Sequence, residues 1–114
     1  MPLSTSATDF PALISLTSFG AAEVLRHGQL WFARLSQAAG ADGVEVREEL
    51  LRDAARELPE LAAWAQESGM ALVYSCPQPL YAADGTLAQA TLEHASAASH
   101  ALGASWLKMS IGGF

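Results

Sequence analysis

Apolar and polar residues alternate through four short segments of the chain. The apolar set consists of Ile14 and Leu16, Val44 and Val46, Leu72 and Tyr74, and Leu107 and Met109. The residues that alternate with them are Ser15 and Thr17, Glu45 and Arg47, Val73 and Ser75, and Lys108 and Ser110. Because successive side chains of a β-strand point to opposite faces, this period of two predicts strands with one apolar and one mostly polar face. We place the four strands at residues 12–18, 43–47, 71–75 and 105–110.

A segment with helical spacing of apolar residues precedes each of the last three strands. Each such segment ends at a glycine, which favours the end of a helix, namely Gly40, Gly69 and Gly103. We expect the three helices to end at residues 39, 68 and 102. The first should start near residue 29 after a loop and bury Trp31, Phe32 and Leu35, the second should start at Pro59, and the third at residue 86.

Alternating strands and helices predict a parallel sheet, because parallel neighbours need a long crossover between them. Strands of an open, doubly wound sheet lie under helices on both faces and are apolar throughout, whereas these strands have a polar face. A barrel covers only its outer face with helices, so it suits this pattern better. We therefore expect an α/β fold, a parallel (βα)3β4 half of a TIM (β/α)8 barrel; an open flavodoxin-like sheet is the alternative.

Length and composition limit the organisation of the chain. Its 114 residues suffice for a single domain, 1–114, with residues 1–11 as a leading tail, and its 51% hydrophobic residues can bury a core. The single Cys76 excludes an internal disulfide.

Charge and hydropathy bear on partners and location. Six basic against twelve acidic residues give a net charge of -6 without a basic cluster, which disfavours nucleic acid as a partner. No apolar run reaches the roughly 18 residues of a membrane span, so we expect no membrane association and a cytoplasmic protein.

Two segments of the sequence resemble a known family. They are ISLTSFG at residues 14–20 and AAGADGVEVR at residues 38–47, the second being more specific because it joins a helix end, a short turn and a strand of the form Asp-Gly-Val-Glu-hydrophobic-Arg. On these residues the chain resembles the sugar phosphate isomerase/epimerase family, the xylose isomerase-like TIM barrels. The resemblance covers residues 12–112, about the first half of a barrel of roughly 250 residues.

The resemblance implies isomerisation or epimerisation of a sugar or sugar phosphate by metal-assisted proton transfer next to a carbonyl. In the family, the metal-ligating and acid/base residues lie in the second half of the barrel. The resemblance therefore implies a divalent metal (Mg, Mn or Zn) for the full-length family, but no cofactor, metal ligand or catalytic residue in this chain, which should be inactive alone.

The related endonuclease branch binds zinc through histidines at the third and fourth strand ends, where this chain has Ser75-Cys76-Pro77 and Ser110-Ile111-Gly112.

Four residues are candidates for binding the sugar or sugar phosphate. Glu45, Arg47 and Lys108 would point into the barrel, where charged side chains must pair with each other or with a polar ligand. Their alternative role is an interior salt-bridge cluster. Phe19 ends the first strand and could form a wall against a sugar ring, or could be a packed aromatic residue in a turn.

Other polar residues have simpler expected roles. Cys76 follows the third strand without a histidine nearby in the sequence, so we expect an unreactive thiol. The acidic pair Glu48 and Glu49 is typical of a solvated loop or short helix, and His94 is expected at the surface.

The first and last strands of a half-barrel have unpaired edges. Such edges favour pairing with a second copy, which would complete eight strands and make a homo-oligomer. The alternative function is therefore a non-catalytic, self-associating half-barrel that binds a small polar ligand.

Overall fold

Strands and helices alternate along residues 11–112, the part of the chain that the computed structural model describes. Of the expected leading tail at residues 1–11, residues 1–10 lie outside this part. In chain order the elements are β1 (Leu13–Ser15), a 3-10 helix (Leu16–Phe19), α1 (Ala21–His27), α2 (Gln29–Ala38), β2 (Gly43–Arg47), a 3-10 helix (Glu48–Leu50), α3 (Ala54–Ser68), β3 (Ala71–Ser75), α4 (Gln89–Leu102) and β4 (Trp106–Lys108). None of the helices within residues 11–112 combines the length and apolarity needed to cross a membrane.

The four strands form one parallel sheet in the order β1-β2-β3-β4. In its register Val46 lies beside Tyr74, which in turn lies beside Leu107. On the alternate row, Arg47 lies beside Ser75, which lies beside Lys108. The predicted α/β class and parallel sheet are confirmed.

The apolar strand face and the helices share one core. Val44, Val46, Leu72 and Tyr74 are buried and belong to the same cluster as helical residues such as Leu61. The helices therefore pack on the apolar face, as the alternation predicts. The polar face carries the charged strand residues.

The first crossover contains more helix than predicted. Residues 21–28 were expected to form a loop, but Ala21–His27 is α1. Gly28 separates it from α2, with a φ of 89° that favours glycine. The first strand is shorter than expected, because the chain turns into a 3-10 helix at Leu16.

The buried face of α2 differs from the expected one. Phe32 is buried as predicted, but Trp31 and Leu35 are 47% and 44% exposed, so their predicted burial is wrong. The core-facing residues are instead Gln29, Phe32, Ala33 and Ser36. Their spacing has the helical period, and the small side chains at 33 and 36 let the helix approach the sheet.

Two helices start at other residues than predicted. Helix α3 begins at Ala54 and contains Pro59. Its first turn is anchored upstream of the proline, because the Glu57 carboxylate accepts hydrogen bonds of 2.6 Å from the main-chain N–H groups of Arg52 and Asp53. Helix α4 begins at Gln89 instead of residue 86.

The Asp42–Gly43 pair joins the starts of three strands. The Asp42 carboxylate accepts a hydrogen bond of 2.7 Å from the main-chain N–H of Ala12, and the Asp42 carbonyl accepts one of 3.0 Å from Ala71. A Cβ atom on Gly43 would overlap the Ala71 carbonyl oxygen and the Leu13 side chain. Glycine is therefore required there for close packing.

Candidate functional site

A concavity of about 350 Å³ lies at the carboxyl ends of β2, β3 and β4. We call it the strand-end concavity, and it is lined by Arg47, Ser75, Cys76, Pro77, Lys108, Met109 and Ser110. Parallel α/β proteins bind their ligands at this edge of the sheet. The lining offers two cationic groups and two hydroxyls to a ligand.

Strand register explains why these side chains meet. Arg47, Ser75 and Lys108 occupy one row across the three strands, so their side chains leave the same face of the sheet. The alternation in the sequence predicts that shared face. The register then places Arg47 and Lys108, which are far apart in sequence, at the same level.

Glu45 connects the two cations. Its carboxylate accepts a hydrogen bond of 2.6 Å from Nη1 of Arg47 and one of 3.2 Å from Nζ of Lys108. We call these three residues the ion cluster. The salt-bridge arrangement that the sequence left as an alternative is therefore present, and whether the cluster also binds a ligand stays a prediction.

Exposure differs strongly within the ion cluster. The side chain of Glu45 is 13% exposed, that of Arg47 is 22% exposed and that of Lys108 is 62% exposed. Arg47 also donates from Nε to Glu49, over 3.1 Å. Lys108 pairs with one carboxylate and an ammonium has three donors, so it has donors left for a ligand.

The Glu45 carboxylate is held in its ionised form. Burial by itself raises its pKa, but the hydrogen bonds from Arg47 and Lys108 outweigh burial and leave the pKa below its ordinary value. The hydroxyl of Ser15 donates a further hydrogen bond of 3.3 Å. A carboxylate held by three donors positions the cations and is a poor general base.

Phe19 lies elsewhere. Its ring stacks on that of Phe32 with centroids 4.6 Å apart, and the half-buried side chain packs against the core. Phe19 is not among the residues that line the strand-end concavity. The packed-aromatic alternative matches this geometry, and a contact with sugar stays a prediction.

A second polar cluster was missed by sequence reasoning. Glu48, expected to be solvated, accepts a hydrogen bond of 2.8 Å from the hydroxyl of Tyr74, and its other oxygen lies 3.7 Å from Sγ of Cys76. His94 on α4 lies 3.9 Å from the same carboxylate. The partners are 26, 28 and 46 residues apart, a separation at which no periodicity in the sequence links them.

The pKa values of two of these neighbours, Tyr74 and Cys76, are raised, so both groups stay protonated at neutral pH. Burial raises the pKa of Tyr74, and its hydrogen bond to Glu48 raises the pKa further. Burial also raises the pKa of the Cys76 thiol, with Glu48 adding to the shift and a main-chain hydrogen bond from Gln78 partly opposing it. Cys76 is therefore a buried thiol without nucleophilic activation.

The described residues do not fit the divalent metal that the resemblance implies for the full-length family. Within residues 11–112, no group of three His, Cys, Asp or Glu side chains is arranged to hold a metal ion. Glu45, a partly buried carboxylate that contacts two residues of the strand-end concavity, is engaged by the cations of Arg47 and Lys108. No step of a reaction is therefore assigned to a metal on these residues.

No family model matches the chain, and no curated protein matches it. The resemblance to the sugar phosphate isomerase/epimerase family rests on residues 14–20 and 38–47 and stays a prediction.

Proposed function

We propose that this chain is half of a (β/α)8 barrel and contributes to a sugar or sugar phosphate isomerase/epimerase acting by metal-assisted proton transfer next to a carbonyl. Its contribution is to bind the polar end of the substrate at the strand-end concavity. The metal ligands and the acid/base residues come from a complementary half, so the 114-residue chain alone is inactive.

The strand order supports the half-barrel. A doubly wound sheet reverses its strand order at a switch point and has helices on both faces. Here the order is sequential from β1 to β4, and the helices share a core with one face of the sheet. Four further units added in the same sense would close such a sheet into a barrel.

The single observation that carries the proposal is the meeting of Arg47 and Lys108 at the carboxyl ends of the strands. Their cations face the strand-end concavity together with the hydroxyl-bearing Ser75 and Ser110. Phosphate oxygens and sugar hydroxyls accept hydrogen bonds from such donors. Glu45 holds both cations in place and prevents their mutual repulsion from separating them.

Binding can be tested by NMR titration of the chain with D-xylulose 5-phosphate, D-xylulose and inorganic phosphate. The amide signals of Arg47, Ser75, Lys108 and Ser110 should shift with the sugar phosphate. Lys108→Met should weaken binding by about tenfold, the effect of losing one charge-assisted hydrogen bond. Arg34→Met is the matched control, because it removes one positive charge from an exposed position outside the concavity.

Three results would contradict the proposal. The first is the absence of shifts at the strand ends, and the second is an equal loss of binding in Lys108→Met and Arg34→Met. The third is metal-dependent epimerisation of the sugar phosphate by the isolated chain, which would show that the chemistry does not need a complementary half.

The second candidate is a non-catalytic, self-associating half-barrel that binds a small polar ligand. It is favoured by apolar side chains at the outer strands, since Leu13 of β1 is 43% exposed, Trp106 of β4 is 70% exposed and the nearby Ile111 is 68% exposed. Pairing of edges in a second copy would cover them. Light scattering should then give twice the 12.0 kDa of the chain, and Trp106→Lys should restore the single mass.

A further inference from the structure

A cleft of about 470 Å³ lies between α3 and α4, and its lining shares no residue with the strand-end concavity. Its walls are mostly apolar and consist of Leu51, Ala54, Ala55, Leu58, Pro59, Ala97, Ala98 and Ala101. Tyr74, Glu48 and His94 complete the lining. The volume is within the range of pockets that hold one small organic molecule.

Small side chains on both helices account for the cleft. Helix α3 contributes Ala54 and Ala55, and α4 contributes Ala97, Ala98 and Ala101. The methyl groups of these alanines leave space between the two helices unfilled. The result is an apolar space open to a ligand.

A carboxylate gives this mostly apolar cleft a negatively charged end. The carboxylate of Glu48 lies in the lining, with its side chain 21% exposed. Tyr74 takes one of its acceptor positions, and the contact with Cys76 is long at 3.7 Å. A carboxylate has about four acceptor positions, so positions are left for a ligand.

Glu48 also lacks a permanent positive partner. Within residues 11–112, no lysine or arginine forms an ion pair with it, and the nearest basic group is the imidazole of His94 at 3.9 Å. By contrast, Glu45 is neutralised by Arg47 and Lys108. A partly buried carboxylate without a cation favours a ligand that supplies one.

We propose that this cleft binds a small organic ammonium ion, with its charged end at Glu48 and its apolar body between α3 and α4. The net charge of -6 favours a cation over an anion in the same space. An apolar body suits the alanine and leucine walls. The site is independent of the proposed function, because the two use different residues and opposite ligand charges.

Cyclohexylmethylammonium and cyclohexylmethanol are a matched pair of probes that differ in the charged group alone. Titration followed by NMR should show saturable shifts at Glu48, Ala98 and Ala101 with the ammonium ion. The alcohol should bind about tenfold more weakly, as expected when a charge-assisted hydrogen bond becomes a neutral one. Equal binding of the two probes, or the absence of saturable shifts at these residues, would overturn the proposal.

Three variants locate the site. Glu48→Gln should weaken binding of cyclohexylmethylammonium by about tenfold. Glu67→Gln removes the same charge from an exposed position of α3 outside the cleft and should leave binding unchanged. Ala98→Leu retains all charges and should reduce binding by filling the cleft. Equal effects of the two glutamine variants would mean general charge attraction and would reject the site.

Discussion

The side-chain amide of Gln29 forms two hydrogen bonds with the main chain of Arg47, one with its N–H and one with its carbonyl, each 2.8 Å long. The register of β1 with β2 ends at the pair Ser15 and Glu45, so β1 does not extend as far as Arg47. The fully buried Gln29 takes the place of a strand neighbour there. A residue at the start of α2 thereby fixes the end of β2 and the main-chain position from which the Arg47 side chain extends.

We expect Gln29→Leu to lower the free energy of unfolding by about 2 to 3 kcal/mol, because it leaves a buried N–H and a buried carbonyl without partners. Gln29→Glu should lower the free energy of unfolding by a similar amount, because a carboxylate cannot donate a hydrogen bond to the Arg47 carbonyl. Urea unfolding measures both. Gln66→Glu, at an exposed position of α3, is the control, and an equal effect there would argue against a specific role for Gln29.

The ion cluster makes stability depend on pH. The pKa of Glu45 in the folded chain is below the ordinary value of 4.5, so the unfolded chain binds a proton more readily at this residue. Its contribution to stability is complete well above pH 4.5 and is lost as the pH falls through the lower, folded value.

Glu45→Gln tests this dependence, because glutamine does not titrate. At pH 7 we expect the free energy of unfolding of the variant to be about 1 to 2 kcal/mol lower than that of the unchanged chain. Urea unfolding at pH 7 and pH 3 should show the difference shrinking at the lower pH. A difference that stays constant would mean that the Glu45 charge does not contribute. Glu67→Gln is a control with an exposed carboxylate.

The buried thiol should be unreactive in the folded chain. Cys76 is 3% exposed and its pKa is raised, so Ellman's reagent at pH 8 should label it far more slowly than in urea. Glu48→Gln removes a negative charge that raises the thiol pKa and should increase the labelling rate of folded protein. The result is unambiguous because the sequence has one cysteine. Rapid labelling of the folded chain would contradict the packing around β3.

Substitutions at two glycines distinguish the cost of a steric overlap from the cost of an unfavourable backbone conformation. Gly43→Ala should cost about 3 kcal/mol or more, because the new methyl group overlaps the Ala71 main chain. Gly69→Ala should cost about 1 to 2 kcal/mol, the strain of a left-handed residue with open space around it. Urea unfolding compares them. Loss of the folded circular dichroism spectrum in Gly43→Ala alone agrees with the expectation, whereas equal costs contradict it.

The sequence predicted those parts of the fold that depend on neighbouring residues. Val44 and Val46 on one face and Glu45 and Arg47 on the other follow directly from the pleat of a strand, so both faces of the sheet were predictable. The helix ends at Gly69 and Gly103 were predictable for the same local reason, since each glycine has the left-handed conformation that ends a helix.

Features that depend on distant contacts were not predictable. The start of α3 before Pro59 is a local exception that was missed, because it depends on the Glu57 carboxylate, which accepts hydrogen bonds from the main-chain N–H groups of Asp53 and Arg52, four and five residues earlier. The exposure of Trp31 depends on which side of α2 meets the sheet. The meeting of Glu48 with His94 requires α4 to approach the 3-10 helix that follows β2, and a single sequence contains no signal for that placement.

The Asp42–Gly43 pair affects how a chain of this kind is recognised. The Asp42 carboxylate, at the start of β2, accepts a hydrogen bond from Ala12. Gly43 has no side chain that would overlap the main chain of Ala71. A second strand that begins in this way needs the same hydrogen bond and the same space at these two positions, whatever substrate the protein binds. The pair is therefore a marker of architecture, and a similarity in reaction is better sought at Arg47 and the strand ends, where side chains face open space.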